Sequence, residues 1–110
     1  KYIENGLFFD KELKDVDGIE IIKCHDNTKP SYWLYTAIID RWDDFIEYMK
    51  SNGVICSPLH LRNDRHSIFE DGSHLKGLES FYSSFIHWGC GWWISQDDRV
   101  KIVDLIKKGW

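Results

Sequence analysis

The stretch Gly53-Val-Ile-Cys-Ser-Pro-Leu-His-Leu-Arg-Asn-Asp-Arg-His-Ser-Ile-Phe69 is the part of the chain around which the rest is arranged. Its apolar start, residues 54–56, predicts a short buried strand that breaks at Pro58. Loops carry binding and catalytic groups while strands fix their position, so the polar side chains that follow predict a site. These side chains are His60, Arg62, Asn63, Asp64, Arg65 and His66.

Arg62 and Arg65 allow two interpretations of this loop. A planar guanidinium suits bidentate contacts with carboxylate or phosphate, which favours an anionic partner. Equally, the loop could be solvated, with its arginines paired to Asp64 and nearby acids. The residues by themselves leave both interpretations open.

The composition is that of an ordinary globular protein: 110 residues, 43% hydrophobic and 29% charged. This size predicts one domain spanning 1–110. Six tryptophans in so small a domain indicate either a thick aromatic core or an apolar surface that expects a partner. A net charge of -4 with no lysine-rich face argues against nucleic-acid binding.

The sequence also limits where the protein works. It contains no apolar run of about 18 residues, no secretory signal and no transit peptide, so we expect a cytoplasmic protein without a membrane partner. Three cysteines at wide spacing predict reduced thiols rather than a disulfide framework. The first residue is Lys rather than Met, which suggests a segment of something longer.

Local patterns predict the elements before residue 53. A helix over 1–13 is expected to be weakened at Asn5-Gly6, and strands are expected over 19–22 and 32–39. Asp40 is the predicted N-cap of a helix that ends at Asn52-Gly53. The apolar stripe of that helix consists of Trp42, Phe45, Ile46 and Met49.

The elements after residue 69 follow from similar signals. Residues 70–73 predict a turn, and 75–84 are weakly helical. The glycines within 85–94 predict an extended or irregular backbone in tight contact with something. Ser95 and Asp98 predict a capping box for a last helix that ends at 107–109. Its predicted inward side chains are Val100, Ile102, Val103, Leu105 and Ile106.

This order of elements predicts an α+β fold, a small two-layer sandwich in which helices pack on a short mixed or antiparallel sheet. The spacing of His and Cys gives little support for a structural metal. Cys90, with His87 three residues before it, permits a small Cys/His hydrolase, although a buried structural thiol is the stronger interpretation.

Three passages together resemble the small domain of the DegT/DnrJ/StrS sugar aminotransferases. Ser31-Tyr-Trp-Leu-Tyr-Thr36, followed by Asp40-Arg-Trp-Asp-Asp-Phe45, resembles one family passage. His60-x-Arg-Asn-Asp-x-His-x-x-Phe69 resembles a second. Gly91-Trp-Trp-Ile-Ser95 with the helix from Asp98-Arg99 resembles the third. The passages occur in family order and cover essentially all 110 residues.

The resemblance implies a C-terminal small domain of a fold-type I enzyme that transfers an amino group to a nucleotide-linked keto sugar. It implies a homodimer whose separate N-terminal domain holds the cofactor pyridoxal phosphate (PLP) and the Schiff-base lysine. This chain alone would bind no cofactor and be inactive. His60, Arg62, Asn63 and Asp64 would line or brace the nucleotide-sugar cleft, with His66 and Phe69 behind them, and none would be catalytic.

One departure and one alternative accompany this expectation. Family members usually have Ile-Pro-Val before Gly-Trp-Trp, whereas this chain has His87-Trp-Gly-Cys90, which puts the local backbone in doubt. The alternative function is a free-standing α+β interaction module that docks through its tryptophan-rich segment, residues 88–93.

Overall fold

The computed structural model describes residues 1–60, 62–68 and 75–110. Phe69 and the turn predicted at 70–73 lie outside these residues. Within the described ranges the helices are α1 (Tyr2–Leu13), α2 (Trp42–Ser51), α3 (Lys76–Tyr82) and α4 (Gln96–Lys108), with a short 3-10 turn at Asn63–Arg65. The strands there are β1 (Ile19–Ile21), β2 (Leu34–Ile39), β3 (Cys56–Ser57) and β4 (Phe85–Gly89).

The four strands form one sheet in the order β1-β2-β4-β3, and each neighbouring pair is antiparallel. In the central pair Thr36 lies opposite His87, and on the far side of β4 Cys56 lies opposite Trp88. The predicted α+β class, the order of elements and the central position of β2 are confirmed.

One face of the sheet carries the core. Alternate residues of β2 and β4 point to this face, where α1, α2 and α4 cover them. Trp88, only 2% exposed, lies at the centre, with its ring centroid 4.8 Å from that of Tyr35 and 5.8 Å from that of Phe9. Burying aromatic side chains of this size supplies much of the apolar area that stabilises a small domain.

The expected weakening of α1 at Asn5-Gly6 is wrong, since the helix runs unbroken through both residues. Gly6 is required by packing: a Cβ there would lie 2.1 Å from the Tyr32 ring. Asn5 is buried and donates its side-chain amide to the carbonyl oxygens of Gly91 (3.0 Å) and Ile94 (3.3 Å). Tertiary contacts therefore outweigh the low helix propensity of both residues.

Two predictions between residues 40 and 57 need correction. The N-cap of α2 is Arg41, in the left-handed conformation with φ 50°, rather than Asp40. Residues 54–56 do not form a buried strand, because pairing with β4 begins only at Cys56 and Ile55 is 87% exposed. The apolar stripe of α2 is confirmed, with Phe45 and Met49 fully buried.

The segment after β4 is irregular and in tight contact with the Trp93 ring, as its glycines predict. A backbone hydrogen bond of 3.1 Å joins the Ile94 amide to the Gly91 carbonyl, and a Cβ on Gly91 would lie 2.2 Å from the Trp93 ring. The capping box of Ser95 and Asp98 at the start of α4 is confirmed. Val100 was wrongly placed inward, since it is 40% exposed.

The tryptophan-rich segment divides between the core and the surface. Trp88 is core, whereas Trp92 is 72% exposed and Trp93 is 50% exposed. Ile3, Leu7 and Ile55 add further exposed apolar area. Among the described residues, no helix has the length and apolar character needed to cross a membrane.

Candidate functional site

The second face of the sheet carries a row of polar side chains across its middle. Thr36 of β2 and Ser57 of β3 both lie opposite His87 of β4, and all three point away from the core because their strand neighbours are core residues. The row is bounded on one side by Phe85, whose ring stacks at 4.6 Å on Phe81 of α3. Helix α3 therefore covers one end of this face.

His87 is the most constrained polar group in the row. Its Nδ1 lies 2.7 Å from the Thr36 hydroxyl, which fixes the ring orientation. Partial burial, and to a smaller extent the neighbouring His60, lowers the pKa of His87. The ring is consequently neutral at neutral pH, with Nε2 left to bond a ligand.

The loop after β3 brings His60 over this row. Its ring centroid lies 6.3 Å from that of His87 and 6.2 Å from that of Trp33, an exposed residue just before β2. These three side chains line one cavity of about 520 Å³, together with Thr36 and Phe81. This volume is in the range of small-molecule sites.

Arg62 is only 9% exposed. Its guanidinium donates to both carboxylate oxygens of Asp64, from Nε at 3.0 Å and from NH2 at 2.5 Å, and lies 3.9 Å from Glu79. The bidentate pair lowers the pKa of Asp64 and raises that of Arg62. The sequence left two interpretations of this loop open. At Arg62 the structure supports the second one, in which the arginine pairs with nearby acids.

The predicted site residues are brought together only in part. Four of them line a second cavity of about 530 Å³, next to Tyr82 and Glu79: His60, Arg62, Arg65 and His66. Asn63 is exposed on the 3-10 turn, and Asp64 is occupied by Arg62. Phe69 lies outside the described residues. His60 is the one predicted residue that lines both cavities.

The sequence analysis did not place Trp33, Thr36 or His87 in the candidate site, although all three line the same cavity. Thr36 and His87 are 51 residues apart, and only the register of β2 against β4 places them side by side. Trp33 precedes a strand of apolar residues, so its sequence pattern resembles that of a core residue. In the structure it is 58% exposed and lines the cavity beside His60.

Cys90 has the environment of a core thiol rather than of a nucleophile. It is fully buried, and burial raises the pKa of its thiol to about 12. His87 is three residues away along an extended strand and faces the opposite side of the sheet. The structure therefore contradicts the pairing of Cys90 with His87 on which the hydrolase interpretation depends.

All ten lysines belong to the described residues and all are exposed. A lysine that forms a Schiff base is activated by desolvation or by a neighbouring cation. An exposed lysine lacks the activation by desolvation. Nor do the described residues include a group of three or more His, Cys, Asp or Glu side chains that could hold a metal ion.

Solved structures similar to this chain are sugar aminotransferases. CalS13 from Micromonospora echinospora matches 99% of this chain at 34% identity and a TM-score of 0.93, and AtS13 from Actinomadura melliaura matches 99% at 32% identity and 0.93. A DegT DnrJ EryC1 StrS aminotransferase from Brucella abortus matches 97% at 18% identity and 0.77, a likeness of fold. This chain spans 30% of the length of each. No family model and no curated protein matches the sequence.

Proposed function

Because this chain has, over its whole length, the fold of part of the sugar aminotransferases, we propose that it is the C-terminal small domain of such an enzyme. In this proposal it forms one wall of the cleft that binds a nucleotide-linked keto sugar. The observation that carries the proposal is the 99% coverage at 34% identity and a TM-score of 0.93 with CalS13, of which the chain spans 30%.

The geometry supports a substrate-binding role rather than a reactive one. One cavity on the second sheet face and another between the loop after β3 and α3 share His60, and their histidine, arginine and aromatic side chains can position a polar ligand. The exposure of every lysine is compatible with amine chemistry located in other polypeptide. When bound, PLP would supply the electron sink for amino transfer, and residues of a preceding domain would hold it.

The partner in this proposal is an N-terminal PLP domain, within a cytoplasmic homodimer. The exposed Trp92, Trp93 and Ile55 support contact with further polypeptide, since a small domain rarely leaves so many large apolar side chains in water. The same surface supports a second candidate function, a free-standing interaction module that docks through Trp92 and Trp93.

The test compares this chain with the full product of the gene that encodes it. We expect the full product to convert glutamate and a nucleotide-linked keto sugar to 2-oxoglutarate and the amino sugar, and this chain alone to show no turnover. Borohydride treatment of this chain with PLP should leave its intact mass unchanged. A stoichiometric lysine adduct on this chain, or a full product that lacks transaminase activity, would contradict the proposal.

A further inference from the structure

The chain contains the dipeptide Asn-Gly twice, in two different environments. Asn5-Gly6 lies inside α1, and Asn52-Gly53 lies where α2 ends. Asparagine loses its side-chain amide most readily when glycine follows it, because glycine has no Cβ to hinder attack by its own backbone nitrogen. Since the dipeptide is the same, any difference in reactivity between the two copies comes from the structure around them.

The first copy is held by tertiary contacts. Asn5 and Gly6 are both buried. The Asn5 amide donates to the Gly91 carbonyl at 3.0 Å, and the Asn5 side-chain oxygen accepts from Arg99 at 3.1 Å. The position of a Cβ on Gly6 is filled by the Tyr32 ring, 2.1 Å away. Rotation of the side chain or of the backbone here therefore breaks contacts with distant parts of the chain.

The second copy is held by the last turn of α2. The Asn52 amide donates to the Tyr48 carbonyl at 2.8 Å, and the Gly53 backbone amide donates to the Lys50 carbonyl at 3.0 Å. Gly53 is exposed, with φ 77°, and no described atom other than those of its chain neighbours lies within 4 Å of the position of its Cβ. The end of a helix frays at a low free-energy cost, so these bonds open part of the time.

We propose that Asn52 is a site of spontaneous covalent modification, at which the side-chain amide is lost as ammonia. When the turn opens, the Gly53 backbone nitrogen forms a bond to Cγ of Asn52. The bond from Cγ to the side-chain nitrogen breaks, and that nitrogen leaves as ammonia with the proton that the Gly53 nitrogen gives up. One water molecule then opens the cyclic imide at either of its carbonyls. The products are aspartate and isoaspartate, and no oxidant or reductant takes part.

Both products disturb the connection between α2 and β3. The new carboxylate lies at the negative end of the α2 dipole, and the donor to the Tyr48 carbonyl is lost. Isoaspartate also adds one carbon to the backbone, because the chain then runs through the former side chain. Cys56, the first residue of β3 that pairs with β4, follows four residues after Asn52. The modification therefore acts on the strand from which the loop of the candidate site continues.

The test incubates this chain at mildly alkaline pH and follows the conversion of each asparagine by peptide mass spectrometry, as the mass gain from replacing NH2 by OH. In the folded chain we expect Asn52 to be converted at least about tenfold faster than Asn5, since a factor of ten needs a difference of only about 1.4 kcal/mol in opening free energy. In urea the two copies should react at similar rates. Asn27 is exposed and followed by Thr28, so it controls for exposure without glycine and should react slowly.

Three results would overturn the inference: Asn5 reacts as fast as Asn52 in the folded chain, Asn27 reacts as fast as Asn52, or Asn52 reacts in urea alone. The variant Asn52→Gln should remove the fast mass gain, because glutamine must form a larger ring. The variant Asn52→Asp introduces the charge without lengthening the backbone. We expect it to lower the midpoint of urea unfolding, and the separated isoaspartate form to lower it further. An isoaspartate form as stable as the unmodified chain would contradict the effect on β3.

Discussion

The side-chain amide of Asn5 donates a 3.0 Å hydrogen bond to the backbone carbonyl of Gly91, 86 residues further along the chain. The same amide lies 3.3 Å from the Cys90 and Ile94 carbonyls, and the Asn5 side-chain oxygen accepts from Arg99 at 3.1 Å. One buried side chain thus joins α1, the turn after β4 and the start of α4.

Asn5→Ala should lower the free energy of unfolding by about 1–3 kcal/mol, because buried carbonyls lose their donor. Urea unfolding followed by far-UV circular dichroism measures this change. Asn27→Ala is the control, since Asn27 is exposed in the 24–31 connection. Equal midpoints for the two variants would mean that water replaces the Asn5 amide without cost.

Two helical glycines should respond oppositely to alanine. Gly6→Ala places a methyl group where the Tyr32 ring lies, so the ring must move and its bond to Asp10 is disturbed. We expect a loss of about 1–3 kcal/mol. Gly77→Ala in α3 meets nothing within 4 Å and should gain about 0.5–1 kcal/mol from reduced backbone entropy. Changes of the same sign in thermal unfolding of the two variants would contradict this packing argument.

These residues show which parts of the structure the sequence can predict. Ser95 and Asp98 are three residues apart, and the stripe on α2 repeats within two turns, so short-range patterns contain all the information needed. Asn5 and Gly6 look like helix breakers, because their partners are distant in sequence. In the site, the loop residues were found from their polarity, whereas Thr36 and His87 meet only through strand register. No local pattern reports that register.

The free energy of unfolding should depend on pH through the protonation of His87. Its pKa in the folded state is lowered from the ordinary value of 6.5, so below about pH 6.5 the unfolded state binds more protons than the folded state. The contribution of this residue is therefore fully present above that pH and is lost as pH falls through the folded-state pKa. His87→Gln should flatten the stability profile on the acid side of pH 6.5, while His25→Gln, at an exposed position, should not. Identical profiles for the two variants would place the titration elsewhere.

Cysteine labelling should distinguish surface from core. Cys24 is exposed, whereas Cys56 and Cys90 are buried and burial raises the pKa of their thiols to about 11 and about 12. Iodoacetamide at neutral pH should add one group to the folded protein, at Cys24, and three in denaturant. Peptide mass spectrometry identifies the sites. Rapid labelling of Cys90 in the folded protein would revive the nucleophile that the structure argues against.

Replacing Arg62 should change both stability and ligand affinity, whereas replacing Arg65 should change ligand affinity alone. Arg62→Ala leaves Asp64 and Glu79 without the cation that holds them together, so we expect both a less stable loop and weaker ligand binding. Arg65→Ala removes an exposed side chain, so its unfolding midpoint should stay near that of the unmodified protein while nucleotide affinity falls. Calorimetry with UDP and dTDP, paired with urea unfolding of each variant, separates the two effects.

If Arg62→Ala unfolds like the unmodified protein and loses only affinity, then Arg62 is a ligand contact and Asp64 merely orients it. The double variant Arg62→Ala, Asp64→Ala would then keep that binding loss, whereas a bracing role predicts recovery of part of the stability.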